Sequence, residues 1–212
     1  MLREIAYLVG CCMNLDRYLA ATDIINWQHP AVLAKAQELA AGLADKTGIA
    51  RRCFEFVRDQ IRHSWDYHQN PVTCRASDVL EQATGYCYAK SHLLAALLRA
   101  NGIPAGLCYQ RLSAGDKGPP YCLHGLNVVW LEEYGWYRID PRGNKPGVAA
   151  QFCPPIEQLA FRLQPPEELD LPEIWPDPLP VVVQVLTACA TVEEVYNNLP
   201  DVELLPAVEH AF

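Results

Sequence analysis

The sequence lacks most of the features that settle a protein's class early. Its nine cysteines are odd in number and no two are spaced C-x-x-C, which disfavours a zinc ribbon and a secreted disulfide framework. Reduced thiols in a cytoplasmic protein are the expectation. No apolar run reaches the roughly eighteen residues that a membrane span needs. There is no internal repeat, no low-complexity tract and no calcium-loop pattern. His63, His68 and Cys74 match no standard zinc spacing, so neither a metal nor another cofactor is expected. Basic residues are scarce in one region. Residues 1–150 hold sixteen of the seventeen Lys and Arg beside fourteen acidic residues, whereas 151–212 holds Arg162 alone beside eleven. That acidic segment argues against nucleic acid or an anionic membrane as partner; the oligomeric state is left open. Leu8-Val9-Gly10-Cys11 resembles a lipoprotein cleavage box, but the apolar stretch Ile5 to Val9 is too short for a signal peptide. Ile5 to Met13 is read instead as a strand or helix end in the core.

What is present is a globular composition, half hydrophobic and one fifth charged, long enough at 212 residues to bury a sizeable core. A strand is expected near Tyr18–Ile25. His29-Pro30 opens a helix through Leu43. A second runs from Thr47 or Gly48 to Arg62, with Cys53, Phe54, Val57 and Ile61 on its inner face. His63 to Cys74 reads as a polar loop. Ser77 to Glu81 reads as a short capped helix, Asp78 and Glu81 having capping-box spacing. The run from Cys87 to Leu98 is apolar nearly all round, so it is expected to be the buried central helix, stopped by Asn101-Gly102. Strands follow at Ile103–Leu112, Leu123–Glu132 and Tyr134–Asp140, the last two forming a hairpin. Helices first and strands later predict an α+β fold with an antiparallel sheet. Twelve of the seventeen prolines fall in 141–212, which predicts wrapped loops with two short helices, Leu179–Ala190 and Val192–Asn198.

Thr84-Gly85-Tyr86-Cys87 carries the chemistry. A thiol in the first turn of a helix faces unpaired N–H groups and the positive end of the helix dipole, and both favour thiolate. His92, five residues on, falls on the opposite side of the helix. A hairpin turn near 132–133 sets Asp140 opposite roughly residue 125, beside His124. If the helix start packs against that end of the sheet, thiol, imidazole and carboxylate meet as nucleophile, base and orienter.

Gly85-Tyr86-Cys87, His124-Gly125-Leu126-Asn127 and Trp136-Tyr137-Arg138-Ile139-Asp140-Pro141 together resemble the three-part signature of the transglutaminase-like superfamily. These are papain-like thiol enzymes whose Cys heads a helix and whose His and Asp lie on neighbouring strands. The resemblance covers roughly residues 18–145 and implies Cys87 as nucleophile, His124 as general base and acid, and Asp140 as the orienter of the imidazole. It implies attack on a peptide or amide carbonyl, a thioester, and resolution by water or an amine. The remainder, 146–212, looks like the tail of a bacterial subgroup, expected to be a Pro-rich acidic extension packed on a 1–145 core. Superfamily members include crosslinking acyltransferases, peptidases, amidases and inactive scaffolds. The absence of a calcium loop favours hydrolysis or transfer on a small peptide or amide over crosslinking. The alternatives are a scaffold with an occluded triad and an acyltransferase using a small thioester donor, although nothing marks a nucleotide site for one.

The oxyanion is expected at the helix start, on the Cys87 N–H and one further donor, for which Gln82, Gln60 and Tyr67 are candidates. Tyr86, Tyr88, Tyr109, Tyr121 and Trp136 either line an aromatic cleft or pack the core. Asp66 lies near the site or caps a loop. Arg138 and Arg142 flank Asp140, where they hold either a substrate carboxylate or a salt bridge to the acidic tail.

Overall fold

The computed structural model describes residues 14–115 and 118–202, so the element expected within Ile5 to Met13 lies outside the described residues. A 3₁₀ turn, Leu15–Tyr18, leads into α1 (Pro30–Ala40), α2 (Lys46–Gln60), β1 (Arg62–His63), α3 (Ser64–Tyr67), α4 (Ala76–Gln82), β2 (Thr84–Gly85) and α5 (Cys87–Ala100). The strands β3 (Ala105–Ser113), β4 (Tyr121–Leu131) and β5 (Gly135–Ile139) follow. Beyond them lie a small hairpin, β6 (Gln151–Cys153) and β7 (Ile156–Gln158), then β8 (Leu169–Asp170), α6 (Pro180–Ala188) and α7 (Val192–Asn197). The main sheet has the order β5-β4-β3-β8 and is antiparallel throughout. Among the described residues, no helix is long and apolar enough to cross a membrane.

The fold is the mixed helix-and-sheet arrangement expected, and α5 is its centre. It packs against β3 and β4 on one side and against α1, α2 and α4 on the other. Every residue from Cys87 to Arg99 is buried. Leu93, Leu94, Leu97 and Leu98 are fully enclosed, and burial of each stabilises the fold by about 1.5–3 kcal/mol. Backbone carbonyls receive three of the buried polar side chains on this helix, which offsets the cost of burying them. Arg99 donates to the carbonyls of Ala105 and Ala20, His92 Nδ1 meets the Cys74 carbonyl at 2.8 Å, and Lys90 Nζ donates to Ile61 and Arg58. The helix is thereby anchored from its second turn to its last.

Local details depart from the sequence reading. Tyr18–Ile25 is the end of a 3₁₀ turn and an irregular segment, not a strand. Thr22 Oγ1 accepts from the Ile25 N–H, closing a local turn that competes with strand pairing. The first helix ends at Ala40, and α2 begins earlier than expected because Asp45 caps it, accepting from the Gly48 N–H at 2.6 Å. The segment 63–74 is no simple loop, since it contains the end of β1 and α3, and β1 pairs in parallel with β2. No capping box forms on α4. Asn26 Oδ1, from the distant N-terminal segment, accepts from the Ser77 N–H instead. In the hairpin Asn127 pairs with Ile139, so the next step along sets Asp140 opposite Leu126 rather than Gly125. A strand's side chains alternate between faces, and this register puts Asp140 on the same face as His124.

Candidate active site

Cys87 is the first residue of α5, and Tyr86 before it provides no side-chain cap. The N–H groups of the first turn are therefore not consumed by a capping oxygen, and they face the thiol and whatever approaches it. The helix start also abuts β4 closely. A Cβ at Gly125 would lie 2.8 Å from Tyr88 Cδ1 and 3.2 Å from Tyr88 Cα, so only glycine admits this contact. The Gly125 N–H donates to Cys87 Sγ at 3.5 Å, and the Tyr88 hydroxyl donates to the Leu123 carbonyl, tying the helix to the strand on both sides of His124.

His124 Nε2 donates to Asp140 Oδ2 at 2.8 Å, which leaves its other nitrogen for the Cys87 thiol, with which it also interacts. Burial alone would lower the His124 pKa. The Asp140 charge, the Cys87 charge and their hydrogen bonds outweigh it, raising the pKa to about 10. Asp140 is fully buried, yet the His124 charge and three hydrogen bonds hold it below the usual carboxylate range. Besides His124, Oδ1 accepts from the Arg142 N–H at 3.1 Å and Oδ2 from the Ala160 N–H at 3.2 Å. Ala160 and the neighbouring Phe161, whose ring meets His124 edge-on at 5.0 Å, belong to the Pro-rich segment. No motif in the sequence marks either of them.

Cys87, His124 and Phe161 line a cleft of about 550 Å³ together with His63, Trp65, Tyr86, Arg142 and Arg162. Tyr196 of α7 stacks flat on Trp65, with centroids 3.9 Å apart, and also lines the cleft, so residues from beyond the hairpin form part of its wall. Of the expected donors, Gln60, Gln82 and Tyr67 are exposed and line no part of this cleft. Gln60 and Gln82 end their helices facing outward, and Tyr67 lies under the Arg62 guanidinium. Tyr86 does line the cleft, but its hydroxyl donates to the Val192 carbonyl. Trp136 packs against Tyr18 and Trp130, away from the cleft. Tyr88 lines the cleft, while Tyr109 is buried and accepts from the Leu179 N–H. Arg138 takes up the tail pairing, with Glu157 and Asp170, whereas Arg142 and Lys145 both pair with Asp66.

In the sequence His63 reads only as a loop residue beside His68 and Cys74, with no role at the thiol; the structure places it otherwise. It is buried on β1, paired with Gly85 just ahead of the thiol, and lines the cleft. Its Nδ1 has no hydrogen-bond partner and lies 3.8 Å from Asp66. Burial, followed by the Arg142 charge, pushes its pKa well below the ordinary histidine value, so at neutral pH it is an uncharged imidazole. What places His63 at the cleft is the pairing of β1 with β2, and a two-residue strand has no pattern that a sequence can show. Among the described residues, no three His, Cys, Asp or Glu side chains form a group that could hold a metal.

A family model described as the transglutaminase-like superfamily matches residues 33–141, and the chain belongs to that superfamily. Members characteristically use thiol-dependent catalysis. No curated protein matches the sequence. Among solved structures, a candidate cysteine protease from Cytophaga hutchinsonii is similar in fold, with a TM-score of 0.51 and 14% identity over 61% of this chain and 42% of that one. The periplasmic domain of TgpA from Pseudomonas aeruginosa has a TM-score of 0.46 and 24% identity over 60% and 46%. A candidate protease from Parabacteroides distasonis has a TM-score of 0.40 and 15% identity over 58% and 24%. The chain thus spans less than half the length of each.

Proposed function

We propose that the chain is a thiol-dependent enzyme that hydrolyses or transfers the acyl group of a peptide or small amide. Cys87 is the nucleophile, His124 the general base and acid, and Asp140 the orienter. Cys87 Sγ attacks the carbonyl carbon, and the oxyanion is received by the Cys87 backbone N–H at the uncapped helix start. His63, with its proton on Nε2, supplies the second donor in place of Gln82, Gln60 or Tyr67. His124 gives its proton to the leaving nitrogen, the C–N bond breaks, and a thioester remains on Cys87. Water or an amine, deprotonated by His124, then attacks the thioester and restores the thiol. The His124 pKa of about 10 keeps the acid form available at neutral pH, and activity should fall as pH rises through that value.

One observation carries this reading: Cys87, at an uncapped helix start, lines a cleft of about 550 Å³ beside an imidazole whose far nitrogen is held by a buried carboxylate. Room for a substrate against the thiol weighs against an occluded scaffold. Seven described cysteines are free thiols, which supports a reducing, cytoplasmic setting. The test is the pH dependence of Cys87 alkylation by iodoacetamide, in the wild type and in His124→Ala. Fast labelling near neutral pH that slows at least tenfold in the variant is expected. Labelling at the rate of an ordinary exposed thiol in both proteins overturns the reading.

A further inference from the structure

The segment 151–212 contains eleven acidic residues and a single basic one, Arg162. In such surroundings an arginine ordinarily finds a carboxylate. Arg138 is held by Glu157 and Asp170 of this segment, and Arg111 by Asp201. Arg162 differs. Among the described residues it has neither an ion pair nor a hydrogen bond, and it is exposed on the lining of the cleft. The carboxylate sharing that lining, Glu168, is occupied by the Ser113 N–H and hydroxyl and by the Gln164 N–H.

The placement of Arg162 relative to the reacting groups follows from its two predecessors. The Ala160 N–H holds Asp140, and the Phe161 ring lies on His124. Consecutive Cα atoms are about 3.8 Å apart, so Arg162 starts within two residues of the carboxylate that orients the imidazole. It therefore flanks the cleft on the His124 side. His124 must stand beside the leaving nitrogen to protonate it, so a cation there faces the amine half of the substrate. Arg142 and Lys145 line the same cleft, but Asp66 neutralises part of their charge. At physiological salt the Debye length is about 8 Å, which screens the acidic surface of the chain while leaving contacts within the cleft effective.

We propose that the substrate carries a carboxylate on its leaving-amine side, and that Arg162 receives it. This rests on the amide-cleaving reading above and names its substrate class: amides whose amine half is an acidic residue or ends in a free carboxyl group.

The first test needs no turnover. Alkylation of Cys87 by iodoacetate, which carries a carboxylate, is compared with that by iodoacetamide, which does not, and the modified peptide is read by mass spectrometry. The ratio of the two rates cancels any change in the thiol itself. It should fall about three- to fivefold in Arg162→Ala and further in Arg162→Glu, recover in Arg162→Lys, and converge among the variants in high salt. An unchanged ratio in Arg162→Ala and Arg162→Glu overturns the assignment of Arg162. A pool of N-acetylated hexapeptides, each with a free or an amidated C-terminus, then tests the side. Cuts just before Asp or Glu, or close to a free C-terminus, are expected, and cuts just after Asp or Glu overturn the placement on the amine half. A pool left uncut counts against the amide-cleaving reading itself, while the alkylation ratio still judges Arg162.

Discussion

Two buried histidines face the same cleft, each with an aspartate nearby, and they behave in opposite ways. His124 bonds Asp140 at 2.8 Å and its pKa is raised to about 10; His63 lies 3.8 Å from Asp66 and its pKa is pushed down. Burial acts on both in the same direction, so burial does not separate them. Competition for the carboxylate does. Asp140 receives two backbone N–H groups, one on each oxygen, and still accepts the imidazole N–H on Oδ2, whereas the Arg142 and Lys145 cations take up Asp66 before His63 can reach it. One aspartate makes its histidine an acid and the other leaves its histidine a neutral imidazole, which are the two roles the proposed reaction needs.

Asp140→Asn should break this contrast most strongly. The amide cannot stabilise an imidazolium, so the His124 pKa should fall steeply, with Cys87 alone left to oppose burial. Turnover should drop about 10³- to 10⁴-fold, the scale seen when the orienting carboxylate of a triad is lost. Stability should change as well. A histidine whose folded pKa is raised contributes stability that is complete below its unfolded pKa of about 6.5. That contribution is lost as pH rises through about 10. Denaturant unfolding of the wild type should therefore weaken between those values, and the variant should lack that dependence. A variant with wild-type turnover and wild-type pH slope would remove Asp140 from the proposed triad.

His63 sharpens the comparison from the other side. If it donates to the oxyanion, His63→Ala should cost about 10²-fold in turnover. The iodoacetamide rate at Cys87 should move far less, because alkylation generates no oxyanion. His63→Gln keeps an N–H and should recover part of the loss. Equal losses in turnover and alkylation, with no recovery in Gln, would mean that His63 only supports the helix start.

How much of this could be read beforehand follows from the range of each interaction. The buried α5 helix and the hairpin were legible because their patterns are local and long, and Cys87, His124 and Asp140 lie on them. The hairpin register was read one residue short, and with a two-residue side-chain period that step decides the face on which Asp140 lies. Ala160, Phe161 and Tyr196 reach the site through contacts with residues 20 to 131 positions away, and a backbone N–H carries no residue-type signature. His63 was missed for a related reason, since a two-residue strand has no period. Gln82 lies five residues before Cys87, and Gln60 and Tyr67 lie further back, but where α2, α3 and α4 end all three side chains are exposed and line no part of the cleft.

The smallest expected effect isolates the losing side of the competition. Burial alone would raise the Asp66 pKa, but Arg142 and Lys145 hold its carboxyl well below the usual carboxylate range. A depressed carboxyl contributes stability above its unfolded pKa, about 3.9, and loses it as pH falls further. Asp66 is partly solvated and Lys145 more so, and screening limits the benefit to about 1 kcal/mol. Asp66→Asn should therefore be less stable than the wild type by that amount at pH 7 in urea unfolding, with the gap closing below about pH 4. By NMR, the His63 titration should respond to Asp66→Asn much less than that of His124 responds to Asp140→Asn. A gap that persists unchanged at pH 3 would show that Asp66 acts through packing rather than charge. A His63 response as large as that of His124 would mean that Asp66 belongs to the histidine after all, and the distinction between the two pairs would fall.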